Sequence, residues 1–294
     1  MSQAGIQLVE EGQRENASPP PRAPWRAILS SNEGRAGLGL FVIVLAIILF
    51  GPLIRPYPPA EIGVGLDNAP PSPQNLLGTD QLGRDVLSRF LTGGLEVILI
   101  PLVAVGLAVA VGAGLGMLGA FRGGLIDTLI TRVFDLILTL PPLLSIIVMV
   151  AAFGTSTVVV VLAIALVYIP QFGRLIRGAS QVIVASDYVA AALARGERTG
   201  AILLREILPN VATPVLAAVA LRLTFAIMFI ATLDFLGLGS QPPSSAWGLM
   251  VSDGQKIITV APLVALVPIV GIAALCVSFN LIADAISRYL RHEI

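Results

Sequence analysis

Long apolar stretches alternate with shorter polar ones along this chain, at a spacing that suits repeated membrane crossing. A spanning helix takes about 20 mostly apolar residues. The first run, residues 38–54, is closed by Gly51-Pro52 and Arg55-Pro56. The second covers residues 95–121. The third, residues 133–153, is interrupted by Pro141-Pro142, which removes backbone donors and predicts a kink. Kinked spans are tolerated where they face protein or a water-filled cavity. The fourth run, residues 158–176, has Pro170 near its end; the fifth is 211–235 and the sixth 262–285. The pattern predicts an all-α integral membrane protein with about six transmembrane helices.

The segments between the runs are unequal. Residues 1–36 are polar, with Pro19-Pro20-Pro21 and several charges, and read as a disordered tail leading into the first span. They show no apolar core followed by a small-residue cleavage site. The proline-rich stretch 56–73 must lie outside the hydrocarbon. In residues 76–91, Leu82, Val86, Leu87 and Phe90 recur at helical spacing with Arg84, Asp85 and Arg89 between them. That periodicity predicts a helix lying along the membrane face. Gly106, Gly112, Gly114, Gly116 and Gly119 in the second run predict close helix packing within the chain. The expected organisation is a cytoplasmic tail (1–36), a first span with an extracytoplasmic segment (37–93), and a core of five spans (94–286). That core carries a polar loop at 178–210, and a cytoplasmic tail (287–294) follows.

Charge sharpens the picture. Only 12% of residues are charged, against roughly 25% in soluble domains, and mean hydropathy is +0.90. The partner of most of the surface is therefore a lipid bilayer. Zero net charge suggests no nucleic-acid partner. With the N-terminus inside, an even number of spans returns the C-terminus inside. Thirteen of the basic residues then fall on the inner side, against Arg55, Arg84, Arg89 and Lys256 outside. An excess of basic residues marks the cytoplasmic side.

What the chain lacks also matters. A phosphate-cradling loop needs Gly-x-x-x-x-Gly-Lys-Ser/Thr, yet the only lysine, Lys256, follows Gln255 and precedes Ile257. One histidine, His292, and one cysteine, Cys276, cannot assemble an ordinary zinc site or a serine–histidine triad. No catalytic or metal-ligating residue is expected, the chain is not an enzyme by itself, and any hydrolysis must come from a partner. Intramembrane charges pair or line a pathway. Arg132 and Asp135, three apart, are spaced to pair on one helix face; Asp127, Arg132 and Asp284 suit anchoring near the inner surface. Asp234, beside Phe235 at the outer end of the fifth run, either sits in water at the interface or faces a pathway and meets a cationic amine. Arg222 lies within a span.

Four segments carry a resemblance. The first is Leu77-Gly78-Thr79-Asp80-Gln81-Leu82-Gly83-Arg84-Asp85. The second is Asp127, Arg132, Asp135 and Pro141, continuing to Pro170, Arg174 and Arg177-Gly178. The third is Asp187-Tyr188-Val189-Ala190-Ala191-Ala192, with Gly196 and then Ile207-Leu208-Pro209-Asn210; Asp187 or Glu197 is the alternative place for a charged contact in this segment. The fourth is Phe235-Leu236-Gly237-Leu238-Gly239, then Gln241-Pro242-Pro243 and Trp247-Gly248. In order and at matching spacing, with Phe279-Asn280 and Asp284, these resemble the peptide/nickel-type permeases of binding-protein-dependent ABC importers over about residues 38–291. The match is to the dipeptide and oligopeptide "C" subunits.

The resemblance implies a type I ABC importer-like permease fold in a bacterial inner membrane. It also implies a homologous permease as heterodimer partner, two cytoplasmic ATPase subunits that hold ATP and Mg, and an extracytoplasmic peptide-binding protein. It makes the third segment the loop that docks on the ATPase. Two positions depart from the family: the glutamate of its Glu-Ala-Ala triplet aligns with Ala190, and a glutamate one turn before Asp234 is replaced by Ile230.

Read without the resemblance, Asp187 begins a short helix, Ala190 to Ala194 favour it, Gly196 permits a turn and Pro209 stops a second helix. Such a helix either docks in a partner's groove or rests on the membrane face. Similar chains handle dipeptides, oligopeptides, glutathione, antimicrobial peptides and nickel complexes. The rival classes are an ion-coupled secondary transporter, which wants mid-span acids and paired broken helices, and a membrane scaffold without transport.

Overall fold

The computed structural model describes Leu29 and residues 31–292. Most of the expected N-terminal tail, with Arg14, Arg22 and Arg26, lies outside the described residues. Its last part is helical. The Ser31 hydroxyl accepts from the Gly34 amide at 3.0 Å, and α1 runs Asn32–Ile54. Other spans also exceed their apolar runs. They are α2 (Val86–Arg122), α5 (Thr157–Val184), α8 (Leu208–Phe235) and α10 (Leu263–His292). Apolarity marks where a helix meets hydrocarbon, whereas its hydrogen bonding continues into water until a cap stops it. At 1.5 Å per residue, the 37 residues of α2 span about 55 Å, well beyond a hydrocarbon core of about 30 Å. The expected boundaries at 93/94, 210 and 286/287 therefore fall inside α2, α8 and α10, and Pro170 lies within α5.

The third span is broken more sharply than a kink. Helices α3 (Gly124–Leu138) and α4 (Pro142–Phe153) meet at 85°. Contacts at its two ends show that the pair still crosses the bundle. Asp127 near its start pairs with Arg177 near the end of α5. Thr155, just beyond α4, shares a small cavity with Asp234 at the far end of α8. Helices α5 and α8 run antiparallel, with Arg222 over Phe172 and Tyr168 stacked on Phe229. With the bent pair counted once, the described residues hold six segments long and apolar enough to cross a membrane.

The bundle thus has two ends. The turn end carries the α2–α3 corner, the α5–α8 connection and the pairing of Glu33 with Arg288, which joins the start of α1 to the end of α10. The cap end carries residues 55–85 and 236–262. The glycines of α2 divide by face. A Cβ on Gly112 would stand 2.7 Å from the Ile169 carbonyl, and Gly116 packs against Gly173 of α5, whereas Gly106 and Gly114 meet open space. Small residues let α2 and α5 approach backbone to backbone, and Phe134 of α3 lies over Gly173 from the other side.

The expected amphipathic helix over residues 76–91 does not form. Residues 76–85 are turns, and the helix starts at Val86, where Asp85 accepts from the Ser88 amide at 2.8 Å. The charged face is not outside either: Asp80, Arg84, Asp85 and Arg89 are buried together with Val86, while Leu82 is exposed. Mutual charge pairing, described below, overrides the local periodicity. The expected Arg132–Asp135 pair is replaced by Asp135 with Arg174 and Asp127 with Arg177, which tie α3 to α5.

Candidate functional site

The connection between α5 and α8 is built from short pieces. After Ser186, α6 runs Asp187–Ala194. Ser186 holds the N-cap position, so Asp187 stands one residue inside the helix, where its charge still suits the helix N-terminus. Val189 and Ala192 are buried and fasten α6 to the bundle. Asp187, Ala190 and Ala191 face outward, as do Tyr188 (42% exposed) and Leu193 (52%). The helix ends in a double turn. Gly196 N–H reaches the Leu193 carbonyl at 2.9 Å, and Glu197 N–H reaches that of Ala192 at 3.2 Å. This arrangement needs a left-handed residue, and Gly196 has φ +74. Arg195 closes the corner on Glu197 at 2.7 Å.

From Thr199 the chain does not break before the next span. Helix α7 (Thr199–Ile202) passes through a π turn, Leu203–Ile207, into α8. Pro209 was expected to stop a helix. It instead sits in the first turn of α8, where a missing N–H costs least. Leu208 is half-buried beside it. Asn210 Nδ2 donates to the Glu206 carbonyl at 2.6 Å and to the Tyr188 hydroxyl at 3.4 Å, linking α8 to α6.

The Gly-Thr-Asp segment folds into a charged clasp at the cap end. Asp80, 0% exposed, receives Arg84 Nε at 2.7 Å and Arg89 Nη1 at 2.5 Å on one oxygen. Its other oxygen accepts the Leu82 and Arg84 amides at 2.9 and 3.1 Å. Both arginines also face Asp253 of α9 (Trp247–Gln255), at 3.5 and 3.6 Å. Gly78 and Gly83 supply the positive φ angles the turns require. Thr79 accepts the Ala69 amide at 2.8 Å, and Asn75 donates to Asp85 at 3.0 Å. Trp247 stacks on Phe90 and donates its indole N–H to the Phe90 carbonyl at 2.9 Å. The clasp therefore binds residues 76–89 to α9.

Asp234 is 1% exposed and stands between Gly239 and Gly248, where either Cβ would strike it. This excludes the expectation of a carboxylate in interfacial water. One oxygen accepts the Ser240 amide at 2.7 Å, and the Ser240 hydroxyl donates to Glu96 at 2.8 Å. The cavity it lines, with Thr155 and Thr157, is only about 30 Å³. That is room for a water, which needs at least 10–15 Å³, and not for a peptide. Phe235 faces away, along an apolar groove of about 450 Å³ with Met228 and Thr232. The two residues do not form one site. Sequence reasoning missed Glu96, Asp253 and the surroundings of Arg222; only Arg222 announced itself, as a charge inside an apolar run.

Comparison with known proteins agrees with this architecture. A family model for the binding-protein-dependent transport system inner membrane component matches residues 108–292. A second, the N-terminal TM domain of oligopeptide transport permease C, matches residues 24–71. The dipeptide transport system permease protein DppC of Alkalihalophilus pseudofirmus is 35% identical over 92% of this chain and 93% of its own. The glutathione transport system permease protein GsiD of Pectobacterium atrosepticum is 35% identical over 91% and 89%. The probable D,D-dipeptide transport system permease protein DdpC of Escherichia coli is 36% identical over 85% and 84%. The fold is similar to a chain of the MetNI methionine ABC transporter in an inward-facing conformation, with a TM-score of 0.51 at 15% identity. That match covers 71% of this chain and 96% of the other. Matched by the family model over most of its spans and related to these permeases along nearly its whole length, the chain belongs to the binding-protein-dependent inner membrane components, the multi-pass permeases of ABC importers.

Proposed function

We propose that this chain is one of two homologous permease subunits of an importer that carries dipeptides or oligopeptides inward, driven by ATP hydrolysed in partner subunits. The observation that carries the reading is α6. It is a short helix pinned by Val189 and Ala192, with its other faces bare, set between two long spans. A helix presented in this way fits a groove on a soluble partner, and its alanines let the partner come close. Closure of the two ATPase subunits, which hold ATP and Mg, would move α6 and with it the ends of α5 and α8. That biases a two-state pathway between inward-open and outward-open forms.

The same reading puts the turn end and both chain termini in the cytoplasm. Arg122, Arg174, Arg177, Arg195, Arg198, Arg205 and Arg288 gather at the turn end. At the cap end Arg84 and Arg89 are taken up by the clasp, which leaves Arg55 and Lys256. A binding protein would deliver the peptide to the cap end. The homologous permease partner accounts for the break between α3 and α4. Thr139, Leu140 and Pro141 are exposed there, and irregular backbone at membrane depth must face protein or water. Glutathione is the second substrate reading, favoured by the GsiD relative.

The test is uptake of radiolabelled di-, tri- and tetra-alanine and of glutathione into proteoliposomes. They hold the whole complex: both permeases, two ATPase subunits and the binding protein. Uptake is expected to need ATP and to be lost with hydrolysis-dead ATPase subunits, with Gly196→Pro, and with the surface change Leu193→Glu, which leaves packing intact. Uptake that survives hydrolysis-dead partners would refute the proposal in favour of an ion-coupled transporter.

A further inference from the structure

Arg222 lies near the middle of α8 (Leu208–Phe235), and Phe172, beneath its guanidinium, lies near the middle of α5. Among the described residues no carboxylate comes within 4.0 Å of it. Its contacts are the Ala218 carbonyl, which accepts from Nη1 at 3.2 Å, and the Phe172 ring, whose centroid is 4.8 Å from Cζ. The buried Nε makes no hydrogen bond among the described residues. Beside it on α5, Tyr168 is 3% exposed, stacked on Phe229 at 6.2 Å, and its hydroxyl is also without a partner. Arg222 is thus a half-buried cation with a spare donor, held over the Phe172 ring between α5 and α8. Charged side chains at this depth are paired or line a pathway, and here the described residues supply no counter-ion. Arg174, two residues beyond Phe172 on α5, has Asp135 as its partner, whereas Arg222 has no such partner among the described residues.

We infer that Arg222 is a mid-span anion-recognition residue, which pairs with a carboxylate of the peptide in transit. This rests on the proposed importer function. A planar guanidinium with free N–H groups matches a carboxylate in geometry and charge. The Phe172 ring holds the guanidinium from one side. A transient ligand suits the site better than a permanent one, because a half-exposed cation can release what it binds.

The experiment compares uptake of an alanine peptide and of its C-terminal amide by the full complex in proteoliposomes. The permeases are wild type, Arg222→Gln and Arg222→Lys. The binding protein is common to all three, so its own preference cancels in the acid-to-amide ratio. Arg222→Gln is expected to lower the ratio about tenfold or more with amide uptake unchanged, and Arg222→Lys to restore part of it. Binding-protein-stimulated ATPase activity should remain in both variants. An unchanged ratio overturns the inference. Equal loss of both substrates, with loss of permease pairing, overturns it too and assigns the counter-ion to a carboxylate of the partner permease. If the wild-type complex shows no ATP-dependent uptake at all, the importer reading fails and this inference with it.

Discussion

Replacing Asp80 by Asn tests whether the cap-end clasp is a charge-compensated core. The asparagine keeps an oxygen for the Leu82 and Arg84 amides. It loses the carboxylate charge that faces Arg84 Nε at 2.7 Å and Arg89 Nη1 at 2.5 Å. Arg89 is 1% exposed and cannot turn to water, and Asp253 stands a full ångström farther off. Removing one partner of a buried ion pair costs about 3–5 kcal/mol, because a charge is left uncompensated. At about 1.4 kcal/mol per factor of ten, local opening of the clasp rises by about a hundred- to several-thousand-fold. Hydrogen exchange of amides 78–89, measured by mass spectrometry in nanodiscs, reads this directly. Adding Arg84→Met, Arg89→Met and Asp253→Asn to Asp80→Asn should recover most of the protection, since a neutral cluster of similar volume is often as stable as the ionic one. Exchange in Asp80→Asn within threefold of wild type, or a quadruple variant looser than the single one, would refute the reasoning.

Further outcomes follow from the packing at four residues. Gly106→Ala, where nothing approaches, should raise thermal stability in detergent slightly, by up to about 1 kcal/mol of helix propensity. Gly112→Val should abolish a stable fold, because its Cβ would already meet Ile169 at 2.7 Å. Trp247→Phe keeps the stack on Phe90 and loses one hydrogen bond, at a cost of about 1 kcal/mol, seen as a small drop in the thermal midpoint. Asp234→Asn should leave peptide uptake unchanged, because the cavity of about 30 Å³ admits no peptide, whereas Asp234→Ala should loosen the Ser240 loop in hydrogen exchange.

The number and order of the crossings were legible because hydropathy belongs to each residue alone. The helix ends were not, because caps at Ser31, Asp85 and Ser156 lie beyond the apolar runs. Long-range pairing was hidden altogether. Asp135 and Arg132 are three apart, but the partner chosen is Arg174, brought there by the turn after α4. The 76–91 segment failed for the same reason: Asp253 stabilises Arg84 and Arg89 from α9, far along the chain. Gly196 was readable because only a residue free to take positive φ closes that corner. Asp234 was not, since its burial depends on Gly239 and Gly248 packing on either side.

Two mid-depth features indicate that the isolated chain is not the complete unit in the membrane. The break at residues 139–141 lies halfway along the third crossing, with Leu140 59% exposed. The hydroxyls of Thr139 and Ser145 answer the carbonyls of Leu136 and Pro141 at 2.7 and 3.2 Å, so the chain repairs the break only partly from within. Arg222 stands at similar depth without a carboxylate. Insertion scales charge about 2.5–3.5 kcal/mol for an arginine at the centre of a span. Each unsatisfied backbone group in hydrocarbon adds several more. These costs disappear if both features face a polar passage or a second protein, and they persist if both face lipid. The cap end also holds buried polar atoms without a partner, Arg89 Nε, Asp234 Oδ2 and Ser245 Oγ among them, but its charges compensate one another within the clasp. Arg222 and the break together therefore mark mid-depth as the place where a translocation pathway shared with a second permease would run.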